Sequence, residues 1–266
     1  MSDGSTDTPR PSSVYGPVKS WRFGHSLGID PIVERSTCSF DCIYCQLGRI
    51  QAVTTERRVY VPTEQVRRDL STVKWGGVDV VSISGSGEPT LATNLGEIID
   101  VIREFTDRPI HLLTNATQLY LADVRRQLMR LDLISCKLDA PDDKTLRRVN
   151  RPAPGITVER IVNGIVALRK EFAGTLALQV MFMPTNLAEI AAWVPLINKI
   201  KPDSVQLNTP RRPYPTEWRL ENRGNHAAVA GPGGRALRII TPEQAKRAEA
   251  ILRERTGVEI LSVFHD

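Results

Sequence analysis

The chain has 266 residues, 41% of them hydrophobic and 24% charged, which is room for one large core and an ordinary globular composition. No apolar run approaches the length of a membrane span and no apolar secretory leader opens the chain, so neither a helical membrane protein nor a secreted precursor is expected. The net charge of +5 and isoelectric point near 9.2 suit a polyanionic partner such as RNA, yet the Lys and Arg are spread rather than massed, which suits a mildly basic enzyme equally.

Residues 1–13 are polar and lack an apolar face, which predicts a disordered leader before a single domain over 14–266. Val14 to Pro31 is dense in Gly and Pro and reads as a loop or short extended piece beside the sheet, with Ile32 to Ser36 as the first strand. That strand delivers Cys38-Ser-Phe-Asp-Cys42-Ile-Tyr-Cys45, three of the four cysteines in the chain. An odd number of thiols so closely spaced does not make a disulfide framework, and sparse cysteine predicts a reducing, cytoplasmic setting. Zinc normally takes four protein ligands, and no second Cys or His pair accompanies this loop. Three thiolates suit an iron–sulfur cluster that leaves one iron open to another ligand.

After the loop, helix-period and strand-period segments alternate, the pattern of βα units around a parallel sheet. Thr63 opens a helix to about Val73, and Val78 to Ser84 is a strand that ends in Gly85-Ser-Gly-Glu-Pro89. Asn94 with Glu97 predicts a capping box for a helix through Phe105. Pro109 to Thr114 is a strand, Leu121 to Arg130 a helix and Leu131 to Leu138 a strand. Thr157 caps a helix to Phe172, Thr175 to Phe182 is a strand, and Asn186 with Glu189 caps a helix through Ile200. Asp203 to Asn208 is a strand, Thr241-Pro-Glu-Gln244 starts a helix that Gly257 stops, and Val258 to Phe264 is the last strand. Six such units are too few for a closed eight-stranded barrel, so the expected fold is α/β, an open, partial (β/α)6 barrel. Residues 210–238, rich in Pro, Arg and Gly, break the pattern and predict a lid or substrate-contact segment.

Alternate residues of a strand share a face, so polar residues at period two mark a common wall. Ser82, Ser84 and Ser86 share one, as do His111, Leu113 and Asn115, then Ser135, Lys137 and Asp139. Gln179 with Met181 and Gln206 with Asn208 continue it across two more strands, which predicts a ligand cavity inside the barrel. Lys137, Gln179 and Asn208 are the catalytic candidates. The same alternation sends Cys136 outward to the helix layer, as a small hydrophobe.

The spacing Cys-x3-Cys-x-aromatic-Cys, with Ser86-Gly87-Glu88-Pro89 after the next strand, resembles the radical S-adenosylmethionine (SAM) superfamily. Tyr15-Gly-Pro, Ser26-Leu-Gly-Ile-Asp-Pro31, Cys45-Gln-Leu-Gly48, Lys137-Leu-Asp-Ala140 and Asn150-Arg-Pro152 are similar to the branch holding the wyosine-forming tRNA enzymes, over roughly Val14 to Arg212. The resemblance implies a [4Fe-4S] cluster on Cys38, Cys42 and Cys45, with Tyr44 beside the adenine of SAM. It implies that Ser86, Gly87 and Glu88 hold the SAM amino group, that Ser84 joins the cofactor site, and that Asn115, Lys137 and Asp139 reach the ribose and carboxylate. The implied reaction draws an electron from flavodoxin or ferredoxin, cleaves SAM to methionine and a 5′-deoxyadenosyl radical, and abstracts hydrogen from a substrate, with tRNA as a candidate. The wyosine-forming enzymes use a second cluster, and no cysteine precedes Cys38 here, so their pyruvate condensation is not expected. A small-molecule or peptide substrate keeps the same chemistry; a non-catalytic iron–sulfur carrier or sensor, and a zinc-stabilised binding module, are the readings of another class.

Overall fold

A computed structural model describes residues 10–224 and 234–265. The chain opens with β1 (Val14–Ser20) and β2 (Gly24–Ile29), an antiparallel hairpin, followed by the two-residue pair β3 (Thr37–Cys38) and β4 (Ala52–Val53). Then come α1 (Thr63–Leu70), β5 (Val80–Ile83), α2 (Leu95–Phe105), β6 (Ile110–Thr114), α3 (Ala122–Leu128) and β7 (Leu133–Lys137). Two helices, α4 (Asp143–Val149) and α5 (Val158–Glu171), precede β8 (Thr175–Met181); α6 (Trp193–Ile200), β9 (Ser204–Asn208), α7 (Pro242–Thr256) and β10 (Glu259–Ser262) complete the chain.

The main sheet has the order β1-β2-β5-β6-β7-β8-β9-β10, parallel from β2 onward and open between β1 and β10. Six crossovers join its parallel strands, so the partial barrel expected from the alternation is the fold observed. In β7 the alternation is complete: Ile134 and Cys136 lie in the main apolar cluster with Ile161, Ile165 and Leu168 of α5, while Ser135 and Lys137 bond to polar partners inside the barrel. Each such buried Ile or Leu contributes about 1.5–3 kcal/mol, and Ile, Leu and Val make up most of the apolar cluster.

Three local expectations are corrected. Val14 to Ile29 is no accessory loop but the hairpin that supplies the first parallel strand, and Ile32 to Ser36 is not a strand. Neither expected capping box with Asn forms. Asn94 turns its amide N–H groups to the Val61 carbonyl and Thr63, and Asn186 donates to the carbonyls of Asp139 and Met181 while its Oδ1 accepts from the Met183 N–H, so neither side-chain oxygen caps its helix. A short 3₁₀ stretch, Leu187–Ala192, replaces the first turns expected after Asn186. The box at Thr241 and Gln244, where no such partner intervenes, is complete. Of the expected leader, residues 1–9 lie outside the described residues, and Ser13 is buried against the Asp69 carboxylate.

The segment after β9 spans the open seam. Arg211 donates to the Val263 carbonyl just beyond β10, and Gly224 packs so closely on Tyr15 of β1 that a Cβ there would lie 2.7 Å from the ring. Arg223 is buried, 3.2 Å from Asp30 and over the Tyr15 ring. Part of the expected lid, residues 225–233, lies outside the described residues.

Candidate functional site

The cysteine loop is pinned on both sides by backbone. Thr37 N–H donates to the Ser86 carbonyl at 3.0 Å and Glu88 N–H to the Thr37 carbonyl at 3.1 Å, which sets Cys38 beside the turn after β5. A Cβ on Gly87 would lie 1.6 Å from that Thr37 oxygen, so only glycine permits the approach. On the far side, Asp41 and Ile43 N–H groups donate to the carbonyls of Asn150 and Val149 at the end of α4, a helix the periodicity had not marked.

Nitrogen donors surround two of the thiols. Cys38 Sγ accepts from the Phe40 N–H at 3.4 Å and the Asn115 amide at 3.5 Å; Cys42 Sγ accepts from the Asn150 amide at 3.3 Å. Burial pushes the Cys42 thiol up to about 12 and Cys45 to about 11, and raises Cys38 as well, with neighbouring acids adding to the Cys38 and Cys42 shifts. Without a metal these thiols stay protonated at neutral pH; a metal would take their protons' place. Among the described residues no three His, Cys, Asp or Glu side chains are placed to hold a single ion. Three thiolates from one loop, all facing the same cavity, fit a cluster that leaves one iron open.

Two buried carboxylates fasten this end of the barrel. Glu88 accepts from the Thr90 N–H and hydroxyl, the Thr114 hydroxyl and the Asn115 N–H, the last at 2.6 Å. Burial outweighs those bonds and leaves its pKa raised. Asp139 accepts from the Tyr44 hydroxyl, from Asn150 at 2.9 Å and from the Met181 N–H at 2.7 Å, with Lys137 3.6 Å away. Lys137 also approaches Gln179 at 3.4 Å and lies 5.0 Å from the Tyr44 ring centroid.

A cavity of about 410 Å³ occupies the barrel. Cys38, Cys42 and Cys45 form one wall with Ser84, Gly85 and Gly87; Gln179, Met181 and Asn208 form another from the ends of β8 and β9. Tyr15, Arg212 and Arg223 line the seam side, and Ser20, Trp21 and Arg22, the tip of the β1–β2 hairpin, enter from the N-terminal ends of the strands. There a polar chain runs across the interior: Arg22 donates to Gln206 Oε1 at 2.8 Å, Gln206 meets Ser135 at 3.5 Å, and Ser135 meets His111 Nε2 at 2.9 Å.

The expected site residues thus divide. The three cysteines, Ser84, Gly87, Gln179 and Asn208 come together on the cavity. Ser86, Glu88, Asn115, Asp139 and Tyr44 are buried behind it, their side chains held by internal hydrogen bonds. Lys137 sits among this second group. Residues that drew no role from the sequence also matter here. Asp30 accepts from Ser86, Arg223 and two N–H groups, and Tyr15, its hydroxyl pushed up to about 12 by burial, bonds Ser84 at 2.8 Å. Gly28 makes room for that ring, since a Cβ there would lie 2.1 Å from it. The phrases around Tyr15, Asp30 and Asn150 were visible as motifs; nothing local marked Arg22 or Arg223.

A family model described as the Radical SAM superfamily matches residues 36–194. A UPF0026 protein of Synechocystis sp. is 48% identical over 218 residues, covering 82% of each chain. Among solved structures, TYW1 with a lysine-pyruvate adduct bound superposes at a TM-score of 0.59 and 16% identity, over 87% of this chain and 74% of that one. Streptococcus suis SuiB bound to S-adenosylmethionine superposes at 0.60 and 18% identity; 88% of this chain is covered and 49% of that chain, so the likeness spans about half of SuiB. At these identities the structural likeness is one of fold.

Proposed function

The chain belongs to the radical SAM superfamily, grouping with its UPF0026 proteins, with a [4Fe-4S] cluster and SAM as cofactors; on that premise we propose that it is an enzyme in which Cys38, Cys42 and Cys45 hold the cluster and the Ser84–Gly87 turn holds SAM. The observation that carries the reading is the pairing of Thr37 with Gly87, which brings the cysteine loop and the turn to one cavity wall. When bound, the cluster and SAM supply a one-electron reductive cleavage that yields methionine and a 5′-deoxyadenosyl radical able to take hydrogen from a substrate.

This chain's residues do the positioning. Glu88 and Asp139 hold the turn and the cysteine loop from behind, Asn115 and Asn150 direct amide N–H groups at two sulfurs, and the seam segment 210–224 limits access of water. Gln179 and Asn208, facing the cysteines across the cavity, contact the substrate, and flavodoxin or ferredoxin provides the electron. A second reading keeps this chemistry and takes an RNA nucleotide; the net charge of +5 favours it, and salt-sensitive tRNA binding tests it.

The first experiment reconstitutes the protein anaerobically, adds dithionite and SAM, and measures 5′-deoxyadenosine by mass spectrometry, with Cys42→Ala beside it. Product from the native protein and at least a hundredfold less from the variant is the expected result. A loaded cluster whose electron paramagnetic resonance does not respond to SAM would overturn the reading.

A further inference from the structure

The cavity is charged in one sense only. Its described lining contains four arginines, Arg22, Arg211, Arg212 and Arg223, and no Asp or Glu. Arg223 is matched by Asp30. Arg22 is different. No carboxylate lies within 4 Å of it among the described residues, and its hydrogen-bond partner is the neutral amide of Gln206. Its Nε is buried without a hydrogen-bond partner among the described residues. Burial lowers its pKa to about 10, which still leaves it charged at neutral pH. Arg22 is half-buried, with the Trp21 and Phe23 rings 5.3 and 5.7 Å from its guanidinium carbon, and a cation partly withdrawn from water without an anion gains when one arrives.

The surroundings fit that arrival. Gln206 holds the guanidinium in place, and Ser26, Ser82 and Gln179 add neutral polar groups to the same cavity. Arg22 projects from the hairpin tip at the strands' N-terminal ends, while the cysteines sit beyond the opposite ends. A ligand anchored by an acid group at Arg22 would therefore extend toward the cysteine wall.

We propose that the floor of this cavity is an oxyanion subsite, in which Arg22 binds the carboxylate or phosphate of a small-molecule substrate. The proposal rests on the reading of the cavity as the substrate site. Enclosure favours a small molecule over a polynucleotide: the hairpin tip closes the floor and the 210–224 segment covers the seam. The planar guanidinium presents paired donors, which suits either oxyanion.

The test is isothermal titration calorimetry on anaerobically reconstituted protein, with SAM present throughout. Inorganic phosphate and malonate are titrated separately, and malonamide serves as the uncharged control. The native protein is expected to bind one equivalent of phosphate or malonate and no malonamide; the preferred anion identifies the acid group. Arg22→Gln should weaken that binding tenfold or more while its affinity for SAM stays within twofold of native. Arg22→Lys keeps the charge without the fork and should fall between the two, and it decides the matter if Arg22→Gln does not fold. No anion binding by native protein, or equal binding by the variants, overturns the proposal. So does a matched loss of SAM affinity, which would assign Arg22 to the carboxylate of SAM, or a tenfold loss of tRNA binding, which would assign it to RNA. Failure to bind SAM at all would instead sink the proposed function, and Arg22-dependent anion binding would survive it.

Discussion

The two ends of the barrel hold their charges differently. Beyond the strands' C-terminal ends, Glu88 has four donors and Asp139 has three plus a lysine, all from the protein itself. At the other end, half-buried Arg22 has one neutral hydrogen-bond partner, two aromatic rings beside it and an unmet Nε. A buried charge met by the protein's own donors is scaffold: whatever its burial costs, removing it strands groups that pointed at it. An under-satisfied charge beside a cavity is a group waiting for a ligand. The contrast separates what positions the chemistry from what selects its substrate.

The sharpest way to break the comparison is at Asp139. Asp139→Ala strands the Tyr44 hydroxyl and the Met181 N–H, takes one acceptor from the Asn150 amide, and leaves Lys137 without its anion. The expected loss is about 3–5 kcal/mol of folding free energy, read from the urea midpoint. A loss below about 1 kcal/mol would mean that this end is not held by its carboxylates.

Glu88→Gln is gentler, because shape is kept. One amide N–H must then face a donor, either the Asn115 N–H or the threonine cluster, and the expected cost is about 1–3 kcal/mol in the same assay. Asn115 also donates to Cys38, so the variant's reconstituted cluster should show a shifted reduction potential as well. An unchanged potential with lowered stability would confine Glu88 to folding.

Much of this was legible in the amino acids. The alternation Leu133-Ile-Ser-Cys-Lys137 assigned inner and outer faces correctly, because a strand buried on both sides must sort its side chains by polarity. Cys136 duly lies in the apolar layer, its thiol raised by burial. Thr241 and Gln244 capped their helix as read, since both partners are local. Asn94 and Asn186 did not, for their amides are oriented by carbonyls outside the helix they precede. The hairpin from Val14 was missed because its Gly and Pro read as a loop while its pairing depends on β5. Arg22 was beyond reach for the same reason: its partner, Gln206, lies 184 residues away.

The smallest effect concerns His111 and sharpens the account of the floor. Burial lowers its pKa well below 6.5, and the nearby Arg22 cation lowers it further, so the folded protein keeps the ring neutral. Phe23 packs edge-on against it and Ser135 bonds Nε2. In the unfolded chain the ring titrates near 6.5 and takes up a proton below that pH, when the folded state does not. The contribution is therefore complete above 6.5 and declines as pH falls, by about 1.4 kcal/mol per unit until the depressed folded pKa is reached. Urea denaturation at pH 7, 6 and 5 should show His111→Gln losing less stability than native protein across that interval, by about this slope. Parallel profiles would mean that the histidine takes up its proton as readily in the folded as in the unfolded state, which the Arg22 charge beside it argues against.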